Sequence, residues 1–316
     1  MNFHYSYKMF KILNEKWNHN DFQYKLGLNV DPVEFNPNGT CLSGGLYYTD
    51  IKNLTLFLHY GCNVATISLP SDAQVYADPE GNKWKADKLI IEKVYPIHEW
   101  DGWNDQEFCL DAVQKNGMAL RYIKNQTEKI CLVAVQKNGS ALEFVLDQTE
   151  EVCITAVKKY GYALQYVQNQ TEEICLAAVK KHGYALQVVK NQTREICLDA
   201  VRQDGWALEF VKKQTEKICL AAVKQNGLAL ELVKNQTLEI CLAAVQSDGM
   251  ALEYVEDQTE EICLAAVRQN GLALKFVKEQ PREICLLAIT QNGKAFEFIK
   301  NPTEELFCVA SRQICN

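Results

Sequence analysis

Positive charge is in short supply in this chain, and so are proline, histidine and long apolar runs. Lys and Arg number 33 against 40 Asp and Glu, a formal net charge of -7. That balance argues against a nucleic-acid surface, because phosphate contacts need clustered Lys and Arg. No apolar run reaches the roughly 18–20 residues of a membrane helix. The opening residues, MNFHYSYKMFKILNEKW, lack the uninterrupted apolar core of a secretion signal. The expectation is a soluble, intracellular chain with neither a nucleic-acid nor a membrane partner. No Cys-x-x-Cys occurs, and the glycine-rich stretch Asn38–Gly45 lacks the lysine and spacing of a phosphate loop. That stretch reads more simply as a turn before a strand. No motif calls for a cofactor.

Proline and histidine are also unevenly placed. Five of the 7 prolines and four of the 5 histidines lie before about Trp100, leaving His182 as the one histidine of the remainder. What fills the rest is a repeat. Cys109, Cys131, Cys153, Cys175, Cys197, Cys219, Cys241, Cys263 and Cys285 stand 22 residues apart, and Gly117 to Gly293 keep the same step. A degenerate tenth copy carries Cys308. Such periodicity marks a repeat array, in which no unit buries its own apolar stripe and stability comes from stacking.

One copy, TEEICLAAVKKHGYALQVVKNQ, shows the local logic. Ile174/Ala178 and Cys175/Val179 are i, i+4 pairs, one face of a helix. Glu172 and Glu173 open it and Lys180 and Lys181 close it, as the helix dipole favours. Asn169, with Glu172 three residues on, reads as a capping-box start. Pro281, in the Thr171 slot of a later copy, is compatible only with a first turn. Gly183 reads as a left-handed helix stop. YALQVVKNQ fits a shorter second helix, with Ala185 and Leu186 facing the same way as Val189. Its composition favours helix, and it lacks the leucine-rich-repeat signature that would make it a strand.

A cysteine placed so regularly invites a chemical reading, and geometry weighs against one. Packed helix layers lie roughly 8–10 Å apart, whereas a disulfide needs Cα atoms within about 7 Å. The cysteine reads as a small buried hydrophobe. The Asn-Gln-Thr triplets at Asn125, Asn169, Asn191 and Asn235 match the glycosylation pattern, but in an intracellular chain they read as helix starts.

Binding then falls to the slots that packing leaves free. The slot after the glycine reads Tyr162, Tyr184, Trp206, Leu228 and Met250 in successive copies. These five are the candidate partner-binding residues, aromatic and apolar side chains being typical interface anchors; covering the grooves between repeats is the alternative. The apolar slot four residues later, with Val188 and Phe210, is assigned to the core. His182 is expected to be solvated in a turn.

Before the array, TDIKNLTLFLHYG reads as one helix, with Thr49 or Asp50 as cap and Gly61 as stop. NVATISLP, AQVYADPEGNKW and KLIIEKVYPI read as strands, with Asp78–Gly81 as a turn. Cys41, His59, Cys62 and His19 could in principle supply a zinc set, or Cys41 or Cys62 with His59 a nucleophile pair. Their spacing matches no standard site.

FQYKLGLNVDPVEFNPNGTCLSGGLYYTD, followed by KWKADKLII, resembles the N-terminal module of repeat proteins from amoeba-infecting giant viruses, where it often precedes ankyrin arrays. The ICLAAV…NGxALxxV copies resemble an uncharacterised helical repeat of those viruses. These resemblances imply a viral protein acting in the host cytoplasm or packaged in the virion, and they bring no catalytic residue. GLNVDPVEF…GGLYYTD is also similar to a segment of ADP-ribosyltransferase folds, which cradle NAD. The strand around Tyr7–Leu13 has no histidine of the kind those enzymes use, so a non-catalytic relative is what that resemblance implies.

The expected fold is therefore mainly α: an α-solenoid of 22-residue helix–turn–helix repeats over residues 101–316, preceded by a small α+β domain over residues 1–100. The expected function is a non-enzymatic scaffold for a protein partner. The alternative is an ADP-ribosyltransferase-like or nucleotide-binding N-terminal domain with the array as targeting arm. The oligomeric state is left open.

Overall fold

A computed structural model describes residues 8–19, 22–38 and 43–314. The chain divides into two compact units, Met1–Val152 and Cys153–Asn316.

The first unit opens with an antiparallel sheet. Its strands are β1 (Met9–Leu13), β2 (Asn18–His19), β3 (Phe22–Gln23), β4 (Gly27–Val30), β5 (Leu46–Asp50), β6 (Asn63–Ser68), β7 (Val75–Ala77), β8 (Trp84–Ala86) and β9 (Lys88–Pro96). Seven of them form one sheet in the order β4-β9-β6-β1-β5-β8-β7, and β2 and β3 form a small separate hairpin. The apolar strands MFKIL and NVATIS take its centre, with Phe10 opposite Thr66 and Ile12 opposite Val64. Leu13, Leu46, Tyr48, Ala65, Ile67, Leu89 and Ile91 form the buried core.

The turn at Asp78–Gly81 forms as expected, with Gly81 N donating to Asp78 O at 2.8 Å and Glu80 N to Asp78 Oδ1 at 3.0 Å. Of the glycine-rich stretch, Gly39–Leu42 lie outside the described residues. Gly44 and Gly45 have φ of 87° and 140°, and Gly45 N donates to Asp31 Oδ2 at 2.7 Å as the chain enters β5. TDIKNLTLFLHYG is not one helix. Thr49 and Asp50 finish β5, and a 3₁₀ helix covers only Leu54–Tyr60, burying Leu54, Thr55 and Leu58. The pairing of β1 with β5 holds Asp50 and Thr49 extended, and this long-range ladder overrides the local capping signal.

Trp100 and Trp103 join the sheet to the repeats. Trp103 Nε1 donates to Ile97 O at 2.7 Å. Trp100 meets Phe10 at 5.5 Å and Phe108 at 5.3 Å, while Trp103 stacks on Tyr122 at 5.4 Å. These rings cover the open end of the first repeat, which has no preceding copy to bury it.

Among the described residues the repeats supply ten α-helices: α1 (Gln106–Lys115), α2 (Glu128–Lys137), α3 (Glu150–Lys159), α4 (Glu172–Lys181), α5 (Arg194–Gln203), α6 (Glu216–Gln225), α7 (Leu238–Ser247), α8 (Glu260–Gln269), α9 (Arg282–Gln291) and α10 (Glu304–Ile314). Each of the first nine leads into a six-residue 3₁₀ helix, such as Gly183–Val188 after α4 and Gly227–Leu232 after α6. The second helix of each copy is thus the tighter 3₁₀ form, suited to so short a run. Ile174, Cys175, Ala178, Val179, Ala185, Leu186 and Val189 are buried in one copy, and their counterparts are buried in the next. At about 1.5–3 kcal/mol for each large aliphatic side chain, this stripe drives the stacking.

The local signals resolve differently from the sequence reading. The N-cap of α4 is Thr171, whose side chain accepts from Ile174 N at 3.3 Å, and not Asn169. Pro281 takes the same cap position with φ of -63°, a value its ring supplies. Nor are the array glycines left-handed; the positive-φ glycines among the described residues are Gly27, Gly44, Gly45 and Gly81. The turn is made by the extended residue before the glycine, such as Asn226 at φ -148° and ψ 111°. Glycine is required by close approach: a Cβ on Gly227 would lie 2.5 Å from Ala244 O, and one on Gly183 2.6 Å from Ala200 O. The 3₁₀ helices that start at Gly117, Gly161, Gly183, Gly205, Gly227, Gly249 and Gly271 each begin against the backbone of the next copy's α-helix.

Candidate functional site

Two systems run along the array: a ladder of hydrogen bonds that sets the spacing, and a row of half-buried side chains on the 3₁₀ helices.

The glutamine of Asn-Gln-Thr builds the ladder. Gln214 Nε2 donates to Leu232 O at 2.8 Å, and its Oε1 accepts from Lys234 N at 3.0 Å. Gln170, Gln192, Gln236, Gln258 and Gln280 repeat this pattern in the second unit, and Gln126 does so in the first. One side-chain amide thus pairs with a donor and an acceptor in the following loop. Cys131, Cys175, Cys197, Cys219, Cys241 and Cys263 lie against these amides. Cys219 Sγ is 3.7 Å from Gln214 Oε1, and Cys241 Sγ is 3.4 Å from Gln236 Oε1. All nine array cysteines are buried. Burial pushes Cys109 and Cys131 up to about 11, which keeps them protonated as weak donors.

The glycine N–H is satisfied from the next copy as well, by Gln225 Oε1 at 2.6 Å for Gly205 and by Gln269 Oε1 at 2.6 Å for Gly249. In the copy where Lys181 occupies that glutamine slot, His182 Nδ1 accepts from Gly161 N at 3.1 Å. His182 is half-buried between Tyr160 and Tyr162. It is therefore a packing and hydrogen-bonding group and not a solvated turn residue.

The predicted stripe falls on the second system. Tyr162, Tyr184, Trp206, Leu228 and Met250 are the second residues of successive 3₁₀ helices, which pack side by side. All five are half-buried. The slot assigned to the core, with Tyr166, Val188, Phe210, Leu232 and Tyr254, is half-buried too and shares this surface. Tyr184 meets Phe210 of the next copy edge-on at 5.4 Å. The reason is geometric: Ala185, Leu186 and Val189 already fill the space under the 3₁₀ helix, leaving its other positions at the surface.

Carboxylates edge the row. Glu209, Glu231 and Glu253 are exposed and occupy one slot in three successive copies. Burial raises the Tyr184 phenol, followed by the negative charges of Asp204 and Glu209 beside it. Glu231 is the main cause of the rise at Tyr254. The sequence reading missed this rim, although its 22-residue recurrence was the signal available.

The zinc and nucleophile readings gain nothing. Cys41 lies outside the described residues. Cys62 is exposed, and its Sγ accepts from Asn63 Nδ2 at 3.3 Å. Among the described residues no group of three or more His, Cys, Asp or Glu could hold a metal ion, and no helix is long and apolar enough to cross a membrane.

The model of a family described as Domain of unknown function (DUF4116) matches residues 105–148, 127–170, 149–194, 193–238, 237–280 and 259–302, each match taking in two successive copies. Uncharacterized protein R869 of Acanthamoeba polyphaga mimivirus is 36% identical over 105 residues, covering 32% of this chain and 75% of that protein. Two putative ankyrin repeat proteins of the same virus are each 34% identical. R868 aligns over 87 residues, 26% of this chain and 43% of its own length. R896 aligns over 127 residues, 38% of both. The chain thus spans less than half the length of these ankyrin repeat relatives. No solved structure matches.

Proposed function

The chain belongs to the family described as Domain of unknown function (DUF4116), and from that premise we propose that it is a non-enzymatic scaffold whose 3₁₀ row binds a protein partner. The observation that carries this reading is the row itself. Tyr162, Tyr184, Trp206, Leu228 and Met250 stand half-exposed in line, edged by Glu209, Glu231 and Glu253. Half-buried aromatics on a fixed backbone lose little entropy on binding and make good anchors. The carboxylates select a partner segment with Lys or Arg beside its own apolar residues. Relatives named as ankyrin repeat proteins support a scaffold of repeats. The setting we propose is the cytoplasm of the infected host or the virion.

Crosslinking mass spectrometry in infected amoebae, with a Tyr162→Ala, Tyr184→Ala, Trp206→Ala variant alongside, tests this. Partner crosslinks should concentrate on Lys190, Lys212 and Lys234, exposed lysines that follow the row's 3₁₀ helices in the chain, and disappear in the variant. A variant that keeps its circular dichroism and every partner would remove the row from the account.

A further inference from the structure

The N-terminal sheet carries a cavity that the scaffold role does not use. It measures about 240 Å³, and its lining includes Lys11 of β1, His19 of β2, Tyr47 and Tyr48 of β5, and Phe57 and Tyr60 of the 3₁₀ helix. Among the described residues no carboxylate lines it. Lys83 also reaches it, 3.7 Å from Asp78 Oδ2, so that its charge is partly answered.

Lys11 is the unusual member. It is 5% exposed and sits in the strand MFKIL among buried apolar residues. Its Nζ donates to Tyr47 O at 2.7 Å and lies 4.4 Å from the centre of the Tyr24 ring. An ammonium has three donors, and taking it out of water costs several kcal/mol unless an opposite charge answers it. Among the described residues Lys11 forms no ion pair. The described groups facing it are His19, Tyr24, Tyr47, Tyr48, Tyr60 and Lys83, none of them an acid. Burial, and then Lys11 itself, pushes His19 down, so that its imidazole is neutral near pH 7. Burial lifts the Tyr48 phenol to about 12, which keeps it protonated. The cavity is thus a ring-walled slot with one buried amine that no described acid answers.

We propose that this slot binds a small aromatic monocarboxylate, its ring against Tyr48, Phe57 and Tyr60 and its carboxylate on Lys11 Nζ. The volume lies below the roughly 300–1,000 Å³ of drug-sized sites, which suits one ring and not a dinucleotide. A single uncompensated charge suits a monoanion better than a phosphate. The ligand occupies the slot without reacting, in keeping with a module that serves the array.

Ligand-observed NMR and calorimetry on the full chain test this with benzoate, benzamide and benzylamine as probes. Burial holds the free Lys11 amine down at about 7. Its charged fraction falls about tenfold between pH 6 and pH 8, and benzoate affinity should fall by the same factor. Benzamide and benzylamine should not bind, and Lys11→Met should lose benzoate. If that variant unfolds, benzoate protection of Lys11 from acetylation in the wild-type chain, read by peptide mass spectrometry, gives the same answer. Equal binding of benzoate and benzamide, an affinity indifferent to pH, or no binding and no protection would each overturn the proposal. The partner crosslinks of the array are a separate readout and do not depend on it.

Discussion

Replacing Gly227 separates two accounts of why the array repeats a glycine. A left-handed stop tolerates Asn better than Ala, since Asn enters that conformation readily. A close approach penalises any side chain, and a larger one more. A Cβ here would sit 2.5 Å from Ala244 O, 2.9 Å from Asp248 N and 3.0 Å from Asp248 Cβ, where ordinary contact begins at 3.4 Å. Two of those atoms are backbone of the next copy, so relief means separating two repeats by about 1 Å. Overpacking of a well-filled site costs about 1–3 kcal/mol, and a backbone clash belongs at the upper end. Relief of glycine's unfolded-state entropy returns about 0.4–1 kcal/mol. Gly227→Ala should therefore lose about 2 kcal/mol, and Gly227→Asn more. The loss falls on one interface of a nearest-neighbour array, so urea unfolding followed by circular dichroism should broaden as its midpoint drops. A Gly227→Asn variant more stable than Gly227→Ala, or an Ala variant within about 0.5 kcal/mol of wild type, would refute the close-approach account.

The glutamine ladder and the thiols give two more tests. Gln214→Ala removes both amide bonds and leaves Leu232 O and Lys234 N without that partner, so it should cost about 1–3 kcal/mol in the same unfolding assay; a neutral result would reduce the ladder to a by-product of stacking. In native protein at pH 8, Ellman's reagent should titrate Cys62 and Cys308, which are exposed, and reach the nine array cysteines only after denaturation. Fast labelling of Cys131 or Cys219, followed by peptide mapping, would show that their burial does not hold.

Much of the array was legible because a helix writes its buried face into consecutive residues. Ile174, Cys175, Ala178 and Val179 at helical spacing, acidic residues before and basic ones after, gave α4 almost to its ends. The strands β6 and β9 and the turn at Asp78–Gly81 were legible for the same reason, since alternation and turn chemistry are local. Only the end of strand β5 was hidden, because Thr49 and Asp50 look like a helix cap until β1 pairs with them. Lys11 gave only the faint signal of a lysine inside MFKIL, a pattern equally suited to a strand edge.

The sequence by itself determined the period, the unit and its buried stripe, because these follow from which side chains one short segment must hide from water. Only the tertiary structure decided what Gly227, Gln214 and His182 are for. Each acts on a partner that neighbours its own position in space but not in sequence: the Ala244 carbonyl, the Leu232–Lys234 loop, the Gly161 N–H. It also decided that the aromatic slots share a surface and that Lys11 ends in a cavity lined by no described acid. Both outcomes depend on how neighbouring copies and strands divide the available space, which no single segment specifies.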